Sequence, residues 1–331
     1  MSAACSVCGD AREKNRIIAR EMMFGTRESF EYSQCAGCGC VALSQRPADM
    51  ARYYPADYYS FSVRPGQEIP QRDSVLRKFL RCRRTAFLLK DHDIIGRLVS
   101  SVKPPEPLLA EYISWLRNCH AHLDSRILDV GCGTGRFLKE LAWYGFNDLS
   151  GVDAFISVDN IDGPGLRIRK GSIDNVEGTF DCIMLHHSFE HMDDPLAVCK
   201  HIVRLLSKRG YALIRIPTVS SYAWQHYKER WVQLDAPRHI FLHSLESMKI
   251  LAEKSGLIIR DIVFDSSDFQ FWASEQYKLD IPLNDPRSYA RDRTAGIFTE
   301  AQIKEFQQKA AQLNAQKQGD QVCVYLSRAA T

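Results

Sequence analysis

Three histidines and a glutamate lie close together in the segment H-H-S-F-E-H, residues 186–191. A histidine side chain titrates near pH 6.5, so it can accept a proton from a substrate at neutral pH. We expect His187 or His191 to act as such a base, with Glu190 orienting a histidine or the substrate. A purely structural role is an equally open interpretation for each histidine. A third candidate base, His239, follows in the segment D-A-P-R-H.

Four cysteines near the N-terminus have a spacing that can bind a metal. Cys5 and Cys8 form one C-x-x-C pair, and Cys35 and Cys38 form a second. Two such pairs can close a tetrahedral site, and the metal would then help to fold a segment too short for a sizeable core. We therefore predict a structural Zn²⁺ in a zinc ribbon and assign no chemistry to it. Cys40 is close enough to replace Cys38, and its alternative interpretation is a small buried residue that begins the next strand.

A glycine-rich segment, I-L-D-V-G-C-G-T-G-R-F at residues 127–137, has the pattern of a nucleotide-binding turn. Its apolar start is typical of a buried parallel strand, and Gly131, Gly133 and Gly135 then give a turn that lets a ligand approach the backbone. Apolar residues at helical spacing follow, so the turn would lie at a helix N-terminus with free amide donors. The dinucleotide motif G-x-G-x-x-G would need a glycine where Arg136 stands, which argues against an NAD site.

This turn, with Asp129 two residues before its first glycine, resembles motif I of the class I methyltransferases that depend on S-adenosylmethionine (SAM). The resemblance implies SAM as the cofactor, with Asp129 near its amino group and the glycines near its methionine part. Asp153 ends a second strand, where it can bind both ribose hydroxyls, and Ser172 and Asp174 would form the adenine side. His186 is expected to lie against the cofactor. The implied cofactor-binding residues are Asp129, Gly131, Gly133, Gly135, Asp153, Ser172, Asp174 and His186. For Asp174 the alternative is a turn or helix cap.

The same resemblance implies a three-layer, Rossmann-like α/β methyltransferase fold with a mostly parallel seven-stranded sheet, and the order of strand and helix patterns agrees with it. The run D-N-I-D-G-P-G after Asp153 is poor helix material, so the usual helix between the second and third strands should be short or distorted. The helix that starts at Pro195 is expected to end at Gly210. We predict three units: a zinc ribbon (1–45), a helical connector or cap (46–125), and the methyltransferase domain (126–331).

Two further elements match similar methyltransferases. An E-H pair after the fourth strand is matched by Glu190 and His191, and a Pro-x-His element after the fifth strand is matched by the segment P-R-H. The resemblance therefore directs Arg238 and His239 toward the methyl acceptor, with Arg238 holding a phosphate or carboxylate. Tyr222, in the aromatic loop before this element, is the other candidate for acceptor binding. A loop anchored by aromatic packing is the alternative for the whole segment.

Two other stretches are candidates for the acceptor site. Residues 265–298 are too long for an ordinary connection, so they are expected either to cover the acceptor site as a lid or to form a homodimer contact through their aromatic residues. Tyr53, Tyr54, Tyr58 and Tyr59 are candidates for lining an acceptor pocket. Packing of the ribbon onto its neighbour is the commoner role for such tyrosines.

The charge distribution bears on the partner. The net charge of +3 over 331 residues is too small to favour nucleic acid by itself, but residues 72–90 contain seven basic residues against Asp73 alone. Their spacing predicts an amphipathic helix whose outer face carries Arg77, Arg81 and Arg84. A solvated face is the default interpretation, and a site for an anionic partner, such as a phosphate-bearing acceptor, is the alternative.

From Cys5 to the final strand the chain resembles bacterial class I methyltransferases with an N-terminal zinc-binding domain, including enzymes that modify sugars in cell-surface polysaccharide or deoxysugar pathways. The resemblance implies a SAM-dependent enzyme acting on a small-molecule or glycan acceptor, with sugars or nucleotide-sugars favoured. The additional C-terminal domain of the deoxysugar C-methyltransferases is not recognised. RNA or protein methylation, with the ribbon and the basic helix as a docking module, is the alternative. A non-catalytic SAM-binding or scaffold protein is the third hypothesis.

Composition and apolar stretches bear on location. The content of 45% hydrophobic and 25% charged residues is ordinary for a soluble protein. The N-terminus shows no apolar region of the kind found in secretion signals, and no stretch reaches the roughly 18 apolar residues of a membrane span. We therefore expect a cytoplasmic protein without a membrane span, in which eleven cysteines serve as thiols or metal ligands and not as disulfides.

Overall fold

The computed structural model describes residues 4–55, 74–89, 92–156, 160–294 and 296–329. Within these residues the strands are β1 (Glu13–Arg20), β2 (Ser29–Cys35), β3 (Val41–Leu43), β4 (Ile127–Val130), β5 (Leu149–Asp153), β6 (Asn160–Gly163), β7 (Leu166–Lys170), β8 (Phe180–His186), β9 (Leu206–Pro217), β10 (Phe241–Leu242), β11 (Leu257–Phe264) and β12 (Gln321–Arg328). The helices are α1 (Val75–Leu88), α2 (Ile94–Val102), α3 (Pro107–Asn118), α4 (Arg136–Tyr144), α5 (Pro195–Leu205), α6 (Tyr222–Tyr227), α7 (Leu245–Ser255), α8 (Phe269–Lys278) and α9 (Glu300–Ala315). Tyr58 and Tyr59 lie outside the described residues.

The centre of the molecule is a sheet in the order β11-β12-β9-β8-β4-β5-β7-β6. The pairs from β9 through β7 are parallel, whereas β12 runs antiparallel to both β9 and β11. Helices α3 and α4 pack on one face of this sheet, and α5 and α7 pack on the other. The predicted fold class, a three-layer Rossmann-like sheet that is mostly parallel, is confirmed.

The strand sequences explain the two-sided burial. In β4, Ile127 packs with α3 and α4, while its neighbour Leu128 packs with α5 and α7. In β8, Met184 packs on the face of α3 and α4, and Ile183 packs on the face of α5 and α7. Alternating side chains point to opposite faces, so continuous apolar runs are needed where helices cover both.

Two local predictions differ from the structure. The described residues between β5 and β7 form no helix but the strand β6, which pairs antiparallel with β7 and makes the sheet eight-stranded. Gly210 does not end α5, which stops at Leu205, but lies inside β9. A Cβ on Gly210 would lie 3.0 Å from the carbonyl oxygens of Phe180 and Asp181, so this glycine permits close approach of β9 to β8.

The cysteine-rich N-terminal segment contains the predicted hairpin and is joined to the C-terminal half of the chain. Strands β1, β2 and β3 form an antiparallel sheet, and β10 extends this sheet by pairing with β3. Cys35, Cys38 and Cys40 belong to the same buried cluster as Met248 and Leu251 of α7. The ribbon therefore shares a core with the eight-stranded central sheet.

Helix α1 forms as predicted, but its faces do not follow the prediction. Arg84 is only 4% exposed, and its Nη2 lies 3.0 Å from Oε2 of Glu106. The guanidinium of Arg81 stacks 3.5 Å over the ring of Trp143, whereas Phe79 is exposed. The predicted outer face of three arginines is therefore wrong for Arg84, because α1 docks through its C-terminal half. No helix in the described part of the chain is both long enough and apolar enough to cross a membrane.

Candidate functional site

In the glycine turn after β4, the backbone itself borders a cleft, because the glycines have no side chains. Gly131 and Gly135 have φ angles of 80° and 73°, in the left-handed region that favours glycine. A Cβ on Gly131 would lie 2.4 Å from Cβ of Ser188, and one on Gly135 would lie 1.8 Å from Cδ1 of Ile168. The Ser188 hydroxyl is held by donating to the carbonyl of Val130 at 2.7 Å. The turn therefore has no room for side chains at these two positions.

A first cleft, of about 440 Å³, lies at the carboxyl ends of β4, β5 and β8. Asp153 accepts hydrogen bonds from the backbone N–H groups of Gly133 at 2.9 Å and Phe155 at 2.8 Å, which fix its carboxylate at the cleft. The ring of Phe155 is 61% exposed and stacks on Tyr54 with centroids 5.7 Å apart. The apolar part of the lining includes Val130, Val152, Ile173, Met192 and Val198, and the polar part includes Arg46, Ser172, Asp174, His187, Ser188, His191, Asp193, Asp194 and His201. Apolar walls with a carboxylate between them suit a nucleoside, whose ribose hydroxyls need an acceptor.

A second cleft, of about 520 Å³, opens on the other side of the turn and shares Gly131 with the first. Asp129 is 4% exposed, and its Oδ1 has no hydrogen-bond partner within the described ranges. Burial, together with the nearby charge of Asp153, raises the pKa of Asp129 to about 7. Arg136 and Arg215 also line this cleft. An amine beside the unsatisfied acid and a carboxylate near the arginines would complete the site, so these residues fit the amino-acid end of SAM.

His186 lies in the second cleft but is placed as a packing residue. Its ring centroid is 4.4 Å from Trp115 and 5.1 Å from Phe137. Neither ring nitrogen has a hydrogen-bond partner among the residues described, and burial lowers the pKa of His186 well below its usual value. A neutral ring without polar partners is consistent with the expected position against the cofactor.

His187 lies where the first cleft meets a third. Its backbone is left-handed, with φ of 49°. Nη1 of Arg215 lies 3.0 Å from Nε2 of His187, and Oε1 of Glu190 lies 3.3 Å from its Nδ1. A guanidinium can only donate, so Nε2 is the acceptor and the proton of the neutral ring is on Nδ1, facing the carboxylate. In this arrangement the lone pair of His187 is occupied.

Glu190, His191 and His239 form a compact cluster next to His187, in which Glu190 and His239 are buried and His191 is half-buried. Each offers a ligand atom, and these atoms all lie within 4.8 Å of one another. Burial alone would raise the pKa of Glu190, but the neighbouring His187, His239 and His191 lower it to about 2. Burial lowers the pKa of His239 to about 4, which favours its neutral form. The carboxylate is therefore charged at neutral pH and His239 is uncharged.

The third cleft, of about 490 Å³, is built from segments distant in the sequence. Met23 and Phe24 come from the turn between β1 and β2, and the segment 232–239 forms a second wall. The stretch 265–298, predicted as a lid or a dimer contact, supplies a third. The full lining is Met23, Phe24, His187, Val232, Gln233, Asp235, His239, Phe269, Tyr277, Leu283, Asn284, Ala290, Arg291 and Gln321.

The prediction that Arg238 holds an acceptor phosphate is wrong in this arrangement. Arg238 is fully buried, and its Nη2 lies 2.9 Å from Oε1 of Glu21 and 2.6 Å from Oδ1 of Asp235. Two carboxylates already neutralise the guanidinium, and burial keeps solvent and ligands away. Glu21 also accepts from the N–H groups of Met23 and Phe24. Arg238 therefore fastens the turn between β1 and β2 to the segment that carries His239.

Tyr222 is also placed away from all three clefts. It begins α6, its hydroxyl accepts from Nζ of Lys309 at 3.0 Å, and its ring stacks on His226. Trp224 and Trp231 of the same aromatic loop are buried. The structure thus favours the alternative interpretation, a segment anchored by aromatic packing.

The four cysteines come together as the spacing predicts. Sγ of Cys5 lies 3.7 Å from Sγ of Cys38, and Sγ of Cys8 lies 3.4 Å from Sγ of Cys35. All four sulfur atoms lie within 4.8 Å of one another, and Cys40 is not among them. Four converging thiols are compatible with tetrahedral zinc.

Arg215 is a candidate site residue that was not predicted from the sequence. Its side chain is 14% exposed, it forms an ion pair with Asp265 at 2.6 Å, and its guanidinium lies 4.8 Å from the ring centroid of Trp115. A signal existed, since Arg215 is the one charged residue in the run A-L-I-R-I-P. A charged side chain within an apolar run of a central strand indicates a partner or a site.

An open α/β sheet with a glycine turn after β4 and an acid that ends β5 is the arrangement that the resemblance to class I SAM-dependent methyltransferases implies. A sequence model of a family described as a methyltransferase domain matches residues 95–261, half of the chain. The chain belongs to this methyltransferase family.

Individual relatives are distant. The chain is 28% identical over 131 residues to EEF1A lysine methyltransferase 2 of Homo sapiens, a match that covers 33% of this chain and 54% of that protein. The chain thus spans about half the length of this curated relative. The cyclopropane synthase MmaA2 of Mycobacterium tuberculosis is 17% identical, with coverage of 66% of this chain and 84% of its own and a TM-score of 0.43. A SAM-dependent methyltransferase of Archaeoglobus fulgidus is 19% identical, with 70% and 93% coverage and a TM-score of 0.39. Structural likenesses this weak carry no argument about the acceptor.

Proposed function

We propose that the enzyme transfers a methyl group from SAM, bound across the first and second clefts, to a small-molecule or glycan acceptor bound in the third cleft. The observation that carries the proposal is the position of His187, which lines both the first and the third cleft. An acceptor in the third cleft would therefore meet the donor beside this residue. A sugar or nucleotide-sugar is the favoured acceptor.

The donor site follows from the geometry around the glycine turn. Asp153 would hold the ribose hydroxyls, Ser172 and Asp174 would lie at the adenine, and Asp129 would hold the amino group. Bound SAM supplies an electrophilic methyl group on its sulfonium. The protein's task is to align the acceptor for in-line displacement and to receive its proton.

We assign proton removal to the group formed by His187, Glu190, His191 and His239. His187 is the residue at the junction, but its Nε2 already accepts from Arg215. His191 borders the first cleft and His239 borders the third. The buried negative charge of Glu190 would stabilise positive charge that develops on this group.

The third cleft has the chemistry that a sugar needs. Phe24, Phe269 and Tyr277 offer apolar ring surface, and the amide side chains of Gln233 and Asn284 offer hydrogen bonds. Aromatic faces suit the C–H groups of a sugar ring, and amides suit its hydroxyls. Arg291, at the exposed rim, forms no ion pair with any described residue and would suit a phosphate on the acceptor.

Two structural roles complete the proposal. Cys5, Cys8, Cys35 and Cys38 would hold a Zn²⁺ that keeps the turn between β1 and β2 in place as a wall of the third cleft. Residues 265–298 would act as the opposite wall, in line with the predicted lid. Homodimerisation through this segment remains a prediction.

The test is transfer of a radiolabelled methyl group from SAM to three kinds of acceptor: a panel of nucleotide-sugars, total bacterial RNA, and total soluble protein. Label in the nucleotide-sugar fraction, reduced by Arg291→Ala but not by Arg287→Ala, supports the proposal. Arg287 is a matched control because it is exposed and already paired with Asp285. The named protein-methylating relative makes protein the second candidate acceptor. Label confined to the protein or RNA fraction would refute the small-molecule proposal.

A further inference from the structure

A buried carboxylate belongs to the cluster of Glu190, His191 and His239. Glu190 is 0% exposed, and neither of its oxygens forms a hydrogen bond of good geometry with any described residue. The imidazole Nδ1 of His187 is 3.3 Å away, and Nε2 of His239 is 3.9 Å away. A charged group removed from water in this way requires a compensating positive charge.

The two histidines of the cluster are held in a defined proton arrangement by backbone carbonyls. Nδ1 of His239 lies 2.7 Å from the carbonyl oxygen of Gln233, and Nδ1 of His191 lies 2.8 Å from that of Arg238. A carbonyl oxygen can only accept, so both Nδ1 atoms carry the proton and both Nε2 atoms keep a lone pair. Histidines that bind metals commonly donate their other ring N–H to such a carbonyl.

We propose that Glu190, His191 and His239 bind a divalent transition-metal cation. Two imidazole nitrogens and one carboxylate form a ligand set used for Zn²⁺ and Fe²⁺, with open positions left for a further ligand. The ligand atoms lie within 4.8 Å of one another, so side-chain movements on the order of 1 Å bring them to metal-ligand distances of about 2 Å. The cation would give the oxygens of the buried carboxylate a partner, which they lack among the described residues.

The location suggests what the cation does. His191 lines the first cleft and His239 lines the third, so the open positions of the ion lie between the proposed donor and acceptor sites. With Nε2 of His191 and of His239 occupied, a cation there would replace the histidine base: it would bind an oxygen of the acceptor, lower the pKa of that hydroxyl and let its proton pass to solvent water. This role rests on the proposed function, whereas binding of the cation does not.

The experiment uses the full-length protein with zinc in its cysteine site and Co²⁺ as the probe. After brief treatment with a chelator that removes metal from nitrogen and oxygen ligands, Co²⁺ is added and its visible spectrum is recorded. We expect the protein to bind one equivalent of Co²⁺ and its spectrum to show d–d bands. The thiolate-to-cobalt charge-transfer band, which a cysteine site gives, should be absent. Pulsed electron paramagnetic resonance with Cu²⁺ should then show two coordinated imidazoles.

Variants separate this site from others. Glu190→Gln, which preserves shape, and His239→Ala should each lose the equivalent, while His226→Ala, which removes an exposed histidine elsewhere, should retain it. Circular dichroism and thermal melting show whether each variant is folded. If His239→Ala does not fold, the isosteric variant Glu190→Gln still tests the site. The proposal is overturned if the wild type binds no such equivalent, or if Glu190→Gln binds it as tightly as the wild type. SAM affinity of the metal-free protein tests the donor site independently.

Discussion

Nη1 of Arg215 donates a hydrogen bond to Nε2 of His187 over 3.0 Å, and this contact links the second cleft to the third. Arg215 is in turn held by Asp265, where the 265–298 segment begins. The ring of His187 is therefore fixed from a strand that lies under the donor site. Its tautomer and orientation depend on a residue that is itself in the core.

We predict that Arg215→Ala releases the His187 ring. In the wild type, long-range ¹H–¹⁵N correlation spectra should show the proton of His187 on Nδ1 alone. In the variant they should show a mixture of tautomers, and turnover should fall by about 100-fold, the usual scale for a misplaced proton-transfer group. Arg215→Lys keeps the charge but not the planar fork, so it should restore only part of the activity.

Arg209→Ala is the matched control for this experiment, since Arg209 lies in the same strand but is exposed. It should leave both the spectrum and the turnover unchanged. An identical tautomer in the wild type and Arg215→Ala would contradict the assigned role.

We predict that SAM affinity depends on pH through Asp129. Its pKa of about 7 is above the ordinary value of 3.8, so the carboxylate is mostly protonated below pH 7 and cannot attract the amino group of SAM. Affinity measured by calorimetry should therefore rise between pH 6 and pH 8. Asp129→Asn should abolish this rise and weaken binding by about 1.5–3 kcal/mol, the value of a hydrogen bond to a charged group. Asp124→Asn, an exposed control, should behave as the wild type.

The same shift has the opposite sign for stability of the ligand-free protein. The unfolded chain loses the Asp129 proton near pH 4, whereas the folded protein keeps it until about pH 7. Between these values the folded state binds more protons, so its free energy of unfolding falls as pH rises. Asp129→Asn should remove this contribution in urea titrations at pH 5 and pH 7.5. An unchanged difference between the two pH values would show that the acid is not perturbed.

We predict that Gly131→Ala destroys the donor site, while Gly178→Ala does not. Both glycines have positive φ, at 80° and 94°. The new methyl group at position 131 would lie 2.4 Å from Cβ of Ser188, whereas nothing lies within 4 Å at position 178. Gly178→Ala should cost only about 1 kcal/mol of backbone strain and keep SAM affinity. Gly131→Ala should reduce that affinity at least tenfold, and equal affinities in the two variants would argue against the cleft.

We predict that zinc binding supports the whole fold and not the ribbon alone, because Cys35 and Cys38 share a core with α7. A thiol-blocking mercurial should release zinc from the wild type, whereas Cys38→Ser should have no zinc to release. The free energy of unfolding of this variant should be lower by more than about 3 kcal/mol, since structural zinc contributes about 10 kcal/mol or more in small domains. Cys40→Ser, buried but outside the sulfur cluster, should keep the zinc. Independent unfolding of the ribbon, with the sheet unaffected, would contradict this prediction.

The sequence predicted best what is encoded locally. The strands of the sheet and the glycine turn follow from apolar runs and from glycines that a short segment contains. The burial of Arg238 and Arg84 was not predictable in this way, because Glu21 lies 217 residues before Arg238 and Glu106 belongs to another helix. A charged residue in a sequence predicts a solvent-exposed side chain, and burial becomes understandable only when its distant partner is known.

The site shows the same division. The positions of Asp129 and Asp153 could be predicted, because one belongs to the glycine motif and the other ends a strand. The third cleft could not be predicted, since it is assembled from the turn between β1 and β2, the segment 232–239 and the stretch 265–298. Strand β6 was missed because the D-N-I-D-G-P-G run lacks both the helical and the strand periodicity. The pattern of a single segment cannot predict a cleft that is built from several distant segments.

The most direct test of the proposed donor site is a crystal structure of the protein with S-adenosylhomocysteine. Adenosine density is expected in the first cleft, with the ribose on Asp153, and amino-acid density is expected in the second cleft beside Asp129. Density for the ligand elsewhere, or both clefts filled by the protein's own side chains at saturating ligand, would contradict this donor site.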